Sequence, residues 1–139
     1  MLVEHRKAAL WLPAGGHVDA GEAPAATALR EAREELGIAP RFLDPPGPRP
    51  LFVTEATTVG TGARHRDVSL WFACRGDEDR VLRPDPRELA AVRWWSVDAV
   101  RRADPARFDP HLGRFLAKLL ATVGAVWGRG PEPGPGVSR

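Results

Sequence analysis

Residues Gly16 to Ile38 read GHVDAGEAPAATALREAREELGI. Gly16 is followed after five residues by Glu22, and after seven more by Arg30-Glu31. The second half of the stretch predicts a helix. Pro24 suits a first turn, where a missing N–H leaves nothing unpaired. Ala25 to Leu36 is rich in good helix formers. Gly37 can end the helix by taking a positive φ. With 3.6 residues per turn, Ala25, Leu29, Ala32 and Leu36 are expected on one side, and Glu31, Glu34 and Glu35 on the other.

The grouped carboxylates are the informative feature. Like charges three and four apart destabilise a helix by a few tenths of a kcal/mol per pair. Arg30 and Arg33 soften that repulsion without removing it. A divalent cation would turn it into attraction, and hard oxygen donors suit Mg²⁺, with Mn²⁺ as a second choice. For the helix alone, a solvated Glu-rich face is the commoner explanation.

The wider pattern shifts that balance. It resembles the signature of the Nudix hydrolase family: Gly, five residues, Glu, seven residues, Arg-Glu, an aliphatic, any residue, Glu-Glu, any residue, Gly, an aliphatic. Gly16, Glu22, Arg30, Glu31, Glu34, Glu35 and Gly37 fill the fixed positions, and Ile38 fills the last aliphatic one. Ala32 is a small choice at the other. At average residue usage, seven fixed matches arise by chance about once in 10⁸ windows. Trp11-Leu12-Pro13-Ala14-Gly15 is also similar to the family's approach to its box.

The resemblance implies an α/β fold: a Nudix-like α/β/α sandwich with a mixed sheet between helices. The family usually has a further strand before the position where this chain begins, so the first strand is expected to be missing. It also implies Mg²⁺-dependent hydrolysis of a nucleoside diphosphate linked to another moiety. Water attacks phosphorus, while cations bridging the diphosphate oxygens neutralise charge and acidify a bound water. Glu31 and Glu35 are then the main metal ligands, with Glu34 a third and the Gly16 carbonyl a fourth. Glu22 supports the site and Arg30 holds the carboxylates. Glu34 and Arg30 also belong to the expected catalytic set. The general base stays open, with Glu88 preferred to Glu78 or Asp85. Arg6 is a candidate for a substrate phosphate. His17 and Asp19 read as loop residues. Two other outcomes stay open: a nucleotide-binding Nudix domain without turnover, and a truncated, inactive one.

Outside the box, 139 residues with 43% hydrophobic content suit one domain, expected over residues 1–128. The Pro/Gly-rich residues 129–139 are expected to be a disordered tail. A net charge of +2 without a basic block gives no reason to expect nucleic acid. A lone cysteine, Cys74, rules out an internal disulfide. No run suits a membrane span or signal peptide, so a cytoplasmic enzyme is the default. The expected partner is a small nucleotide, and a homodimer is one option. Strands are expected near residues 1–7, 51–59, 68–74 and 89–95. Residues 57–66 are a loop candidate, in which His65, Arg66 and Asp67 could touch a base or ribose. Cys74 is expected as a small buried filler. Ser96 is expected to cap a short helix at 97–102. Leu112, Phe115, Leu116, Leu119, Leu120 and Val123 carry helical spacing and are expected to pack on the sheet.

Overall fold

The computed structural model describes residues 1–57 and 66–127. Strand β1 (Leu2–His5) lies between β2 (Leu10–Leu12) and β7 (Leu89–Arg93), antiparallel to both. Leu2 and Val3 are both buried. Neighbouring strand residues point to opposite faces, so this sheet is covered on both sides. Val3 packs with Leu36 of helix α1 (Pro24–Leu36) and with Leu89. Leu2 packs with Trp11, Phe52, Trp71, Phe108 and Leu112, the last from helix α3 (Leu112–Trp127). Helices on both faces give the α/β layering. A parallel bridge between Trp11 and Phe108 joins the otherwise antiparallel pairings. The short strand at the chain's start is thus the centre of its sheet.

Helix α1 opens with Pro24 and closes at Gly37, whose φ of 68° is left-handed. The Gly37 N–H donates to the Arg33 carbonyl at 2.9 Å and Ile38 N–H to the Ala32 carbonyl at 3.4 Å. This satisfies carbonyls that the helix end would otherwise leave open. The buried face differs from the expected one. Thr27, Ala32, Glu35 and Leu36 are buried, while Ala25 and Leu29 are only partly so. Glu35 is 9% exposed, so it stands on the core edge of the helix and not opposite it. Small alanines mark the core face weakly, so the sheet decides which side of the helix is covered.

The second strand group pairs β4 (Phe52–Thr57) with β5 (Arg66–Trp71), and β3 (Arg41–Phe42) with β6 (Cys74–Arg75). The expected strand over 68–74 is therefore broken at Phe72-Ala73. Its inward residues are Trp71 and Ala73, while Val68 is 63% exposed. Trp71 Nε1 donates to Thr54 Oγ1 at 3.1 Å, satisfying two buried polar groups. Cys74 follows on the outer side and is exposed, so it fills no core. Leu112, Phe115 and Leu116 of α3 pack on the first core cluster, and Leu119 and Val123 on Leu43, Leu51 and Ala73. Leu120 is exposed instead, because the covered stripe runs along its neighbours. Ser96 Oγ accepts from Ala99 N–H at 3.1 Å and starts helix α2 (Val97–Arg102). His65 and the Pro/Gly-rich tail lie outside the described residues, as does most of the 57–66 loop.

Candidate active site

The loop from β2 to α1 brings Gly15 and Gly16 against the helix. A Cβ on Gly16 would lie 2.3 Å from the Glu31 carboxyl, closer than atoms can approach. A side chain here would displace the Glu31 carboxylate from its place beside the backbone. Gly15 N–H donates to Glu35 Oε2 at 3.1 Å. Burial pushes the Glu35 carboxyl up to about 7, against the lowering effect of that hydrogen bond. Repulsion from Glu31, Glu88 and Glu34 adds to the rise. Glu88 is thus electrostatically part of the same group.

Arg30 is the hub of the box. Its Nε and Nη2 donate to the two Glu22 oxygens at 3.0 and 3.1 Å. Its Nη1 donates to Glu31 Oε1 at 2.8 Å and Glu34 Oε2 at 3.0 Å. Nη2 also reaches the His17 carbonyl at 3.2 Å. Glu22 accepts a further bond from Thr27 Oγ1 at 2.7 Å. The Arg30 guanidinium first, then Thr27, hold the Glu22 carboxyl down at about 2. Arg30 is raised above its ordinary value by the Glu22 hydrogen bond. Loop and helix are therefore joined by charge-assisted bonds.

The segment before β7 completes the site. Arg83 N–H donates to the Leu36 carbonyl at 2.9 Å and Asp85 N–H to the Glu35 carbonyl at 3.2 Å. The open end of α1 thereby holds this segment in place. Glu88 ends up in a cleft of about 410 Å³ together with Gly16, Glu31 and Glu35. His5, Lys7 and Arg87 line the same cleft, as do His17, Asp19 and Arg30. Asp85 accepts from Arg87 Nε and Nη2, which holds its carboxyl down at about 2.

The NUDIX domain family model matches residues 1–119. The chain belongs to the NUDIX family. Its Nudix box is the stretch from Gly16 to Ile38, in which Arg30 links Glu22, Glu31 and Glu34. Similar proteins include the isopentenyl-diphosphate Delta-isomerase of Cereibacter sphaeroides, 34% identical over 109 residues, which are 74% of this chain and 58% of that protein. The Nudix hydrolase orf19 of Rhodococcus erythropolis is 35% identical over 86 residues, 60% of this chain and 44% of that one. The m7GpppN-mRNA hydrolase NUDT17 of Danio rerio is 32% identical over 104 residues, 66% and 33% of the two chains. The Nudix chain described here spans a little over half the length of the isomerases it matches.

Among the described residues, no three His, Cys, Asp or Glu side chains group as a ready-made metal cage. Magnesium is usually held by one or two carboxylates, with waters and substrate phosphates completing its shell. Glu31 and Glu35, beside the close-packed Gly16 backbone, fit that kind of shared site. Glu34 has a side chain 59% exposed, does not line the cleft, and is bonded to Arg30. Arg6 also lies outside the lining. Its Nε donates to the Pro86 carbonyl at 2.9 Å, while its neighbour Lys7 reaches the cleft. Lys7 and Arg87 were not evident in the sequence. The adjacency of Arg87 to Glu88 was the one available signal. Among the described residues, no helix is long and apolar enough to cross a membrane.

Proposed function

We propose that this Nudix chain hydrolyses a diphosphate, that of a nucleoside diphosphate linked to another moiety, with Mg²⁺ or Mn²⁺ as its cation. The observation that supports this reading is the cleft itself. Four carboxylates, Asp19, Glu31, Glu35 and Glu88, share it with Lys7, Arg30 and Arg87, and no large apolar side chain lines it among the described residues. Such a lining suits a polar, multiply charged substrate held between cations.

Glu31, Glu35 and the Gly16 carbonyl would hold the cation, which when bound supplies charge neutralisation and a more acidic water. Arg30 and Glu22 keep the carboxylates in place. Lys7 offers an ammonium to the diphosphate oxygens. Glu88 accepts the proton of the attacking water, since it stands in the cleft and outside the Arg30 network. The new oxygen–phosphorus bond forms as the bond to the leaving phosphate breaks, and the electron pair leaves with that phosphate's oxygen.

A second reading follows from the relatives named as isopentenyl-diphosphate isomerases. Moving a double bond needs proton transfer at two carbons and an apolar wall for the hydrocarbon, which the described lining does not offer. The test is a substrate panel with Mg²⁺: nucleoside triphosphates, sugar nucleotides, dinucleoside polyphosphates and isopentenyl diphosphate. Phosphorus NMR reads hydrolysis, and proton NMR reads migration of the double bond. Cation-dependent release of phosphate or nucleotide is expected. Double-bond migration without hydrolysis would replace this reading by the isomerase one. Tight binding without either reaction would leave a sensor.

A further inference from the structure

Lys7 and Arg87 stand at the same end of the β1–β7 ladder. His5 pairs with Leu89 there, and Arg6 N–H donates to the Glu88 carbonyl at 2.9 Å. The next residue outward on each chain, Lys7 and Arg87, lines the cleft. The two cations therefore reach it from neighbouring strand ends, separately from the box.

Arg87 differs from an ordinary surface arginine in how it is held. Exposed ion pairs are usually loose, because two long side chains must be ordered for little gain. Here Asp85 Oδ1 accepts from the Arg87 backbone N–H at 2.9 Å and from its Nε at 3.0 Å. Asp85 Oδ2 accepts from Nε at 3.1 Å and from Nη2 at 2.6 Å. Asp85 is itself anchored, since its N–H donates to the Glu35 carbonyl and its own carbonyl accepts from Leu89 N–H at 3.0 Å. The Arg87 Nη1 group takes no part in this pairing. The side chain of Arg87 is nonetheless 86% exposed, so the core does not need it. An ordered, solvent-facing guanidinium whose other edge has no partner among the described residues suits an incoming phosphate, because little freedom remains to be lost on binding.

We propose that Arg87 anchors the phosphate group of the substrate that lies away from the cation site at Glu31 and Glu35, and that Asp85 is the residue positioning Arg87 for it. This rests on the hydrolase reading only for the kind of anion. It also gives Asp85 a task other than that of a general base, since both of its oxygens are occupied.

The test uses the full chain with Mg²⁺ and methylenediphosphonate, a diphosphate that cannot be hydrolysed, titrated by calorimetry. Arg87→Ala should weaken binding about tenfold, and Arg87→Lys less, because a point charge lacks the planar fork. Asp85→Asn keeps an acceptor for the backbone turn but drops the charge. It should weaken binding in the parent and add nothing in the Arg87→Ala background. Melting temperatures of the Arg87 variants should match the parent. On a hydrolysed substrate, Arg87→Ala should raise KM and spare kcat. A Kd unchanged by Arg87→Ala overturns the proposal, whether or not the protein hydrolyses diphosphates. An equal effect of Asp85→Asn with and without Arg87 overturns the positioning role. Arg87-dependent binding with no hydrolysis upholds this inference while removing the hydrolase reading.

Discussion

Glu22 and Glu35 belong to one box and sit in opposite electrostatic settings. Burial raises Glu35 from its ordinary 4.5 to about 7, whereas Arg30 lowers Glu22 to about 2. The signs of their pH effects follow. For Glu35 the folded value is the higher, so the stability it contributes is full below about 4.5 and is lost as pH rises through about 7. For Glu22 it is the lower, so its contribution is full above 4.5 and is lost as pH falls through about 2. Metal-free Glu35→Gln should therefore melt at or above the parent at pH 8, while Glu22→Gln should melt below it. Thermal scans in EDTA from pH 5 to 8 check this, and a Glu35→Gln melt well below the parent at pH 8 would make that carboxylate structural. With Mg²⁺, Glu35→Gln should lose at least about 100-fold in kcat, about 2.7 kcal/mol of transition-state stabilisation. Gly16→Ala tests the close approach: its Cβ would meet Glu31 at 2.3 Å, so Glu31 must move. Activity should fall at least about tenfold, with a melting change of only a few degrees because Gly16 is exposed. The contacts within the box were legible because they depend on local spacing. Lys7 and Arg87 were not, because Arg6 is drawn to the distant Pro86 carbonyl while Lys7 reaches the cleft, and neither follows from local spacing.

Among the elements, α1 is legible at both ends but not on its faces. Pro24 and Gly37 carry local backbone chemistry that needs no partner to be read. The buried side depends on what packs there, and Ala25, Ala28 and Ala32 mark it poorly. The same holds for 68–74, where alternation was evident but the inward phase was not. Trp71 turns in against Thr54 and Phe52 of β4, and Ala73 packs with Leu43 and Leu51. Leu36 is the least exposed side chain of the core and ties α1 to Val3 and Leu89. Leu36→Ala should cost about 2–5 kcal/mol, measured by urea unfolding. Gly37→Ala should cost about 1 kcal/mol, because φ stays at 68° and the new Cβ would come within 3.2 Å of Arg83. Arg83 begins the segment that carries Arg87 and Glu88, so this change should also reduce activity. An unchanged kcat with the expected stability loss would show that the segment's bonds to α1 do not hold the site.

Across the whole molecule, the site is assembled by the sheet more than by the box. The α/β class was readable from the box and from the order of helical and strand patterns. The pairing of β1 with β7, which sets Glu88 beside Glu35, joins residues more than eighty positions apart and leaves no local trace. Leu89 sits at that junction. It is 2% exposed, follows Glu88 directly, and packs with Val3 and Leu36. Phe115 is its counterpart on the far side, where it meets Phe52 and Trp71. Truncating either residue to alanine removes core contacts, at a cost of about 2–5 kcal/mol. Their effects on turnover should differ. Leu89→Ala leaves a cavity under the start of β7, next to Glu88, and interiors this close-packed pass such a change to their neighbours. A shift of about 1 Å in a catalytic group can cost on the order of 100-fold. Assayed at 10 °C, where both variants are folded, Leu89→Ala should lose kcat strongly while Phe115→Ala stays near the parent. Circular dichroism at the assay temperature checks the folded fraction. If both lose activity in proportion to their lost stability, the cleft depends on global folding alone, and the β1–β7 junction has no special hold on it.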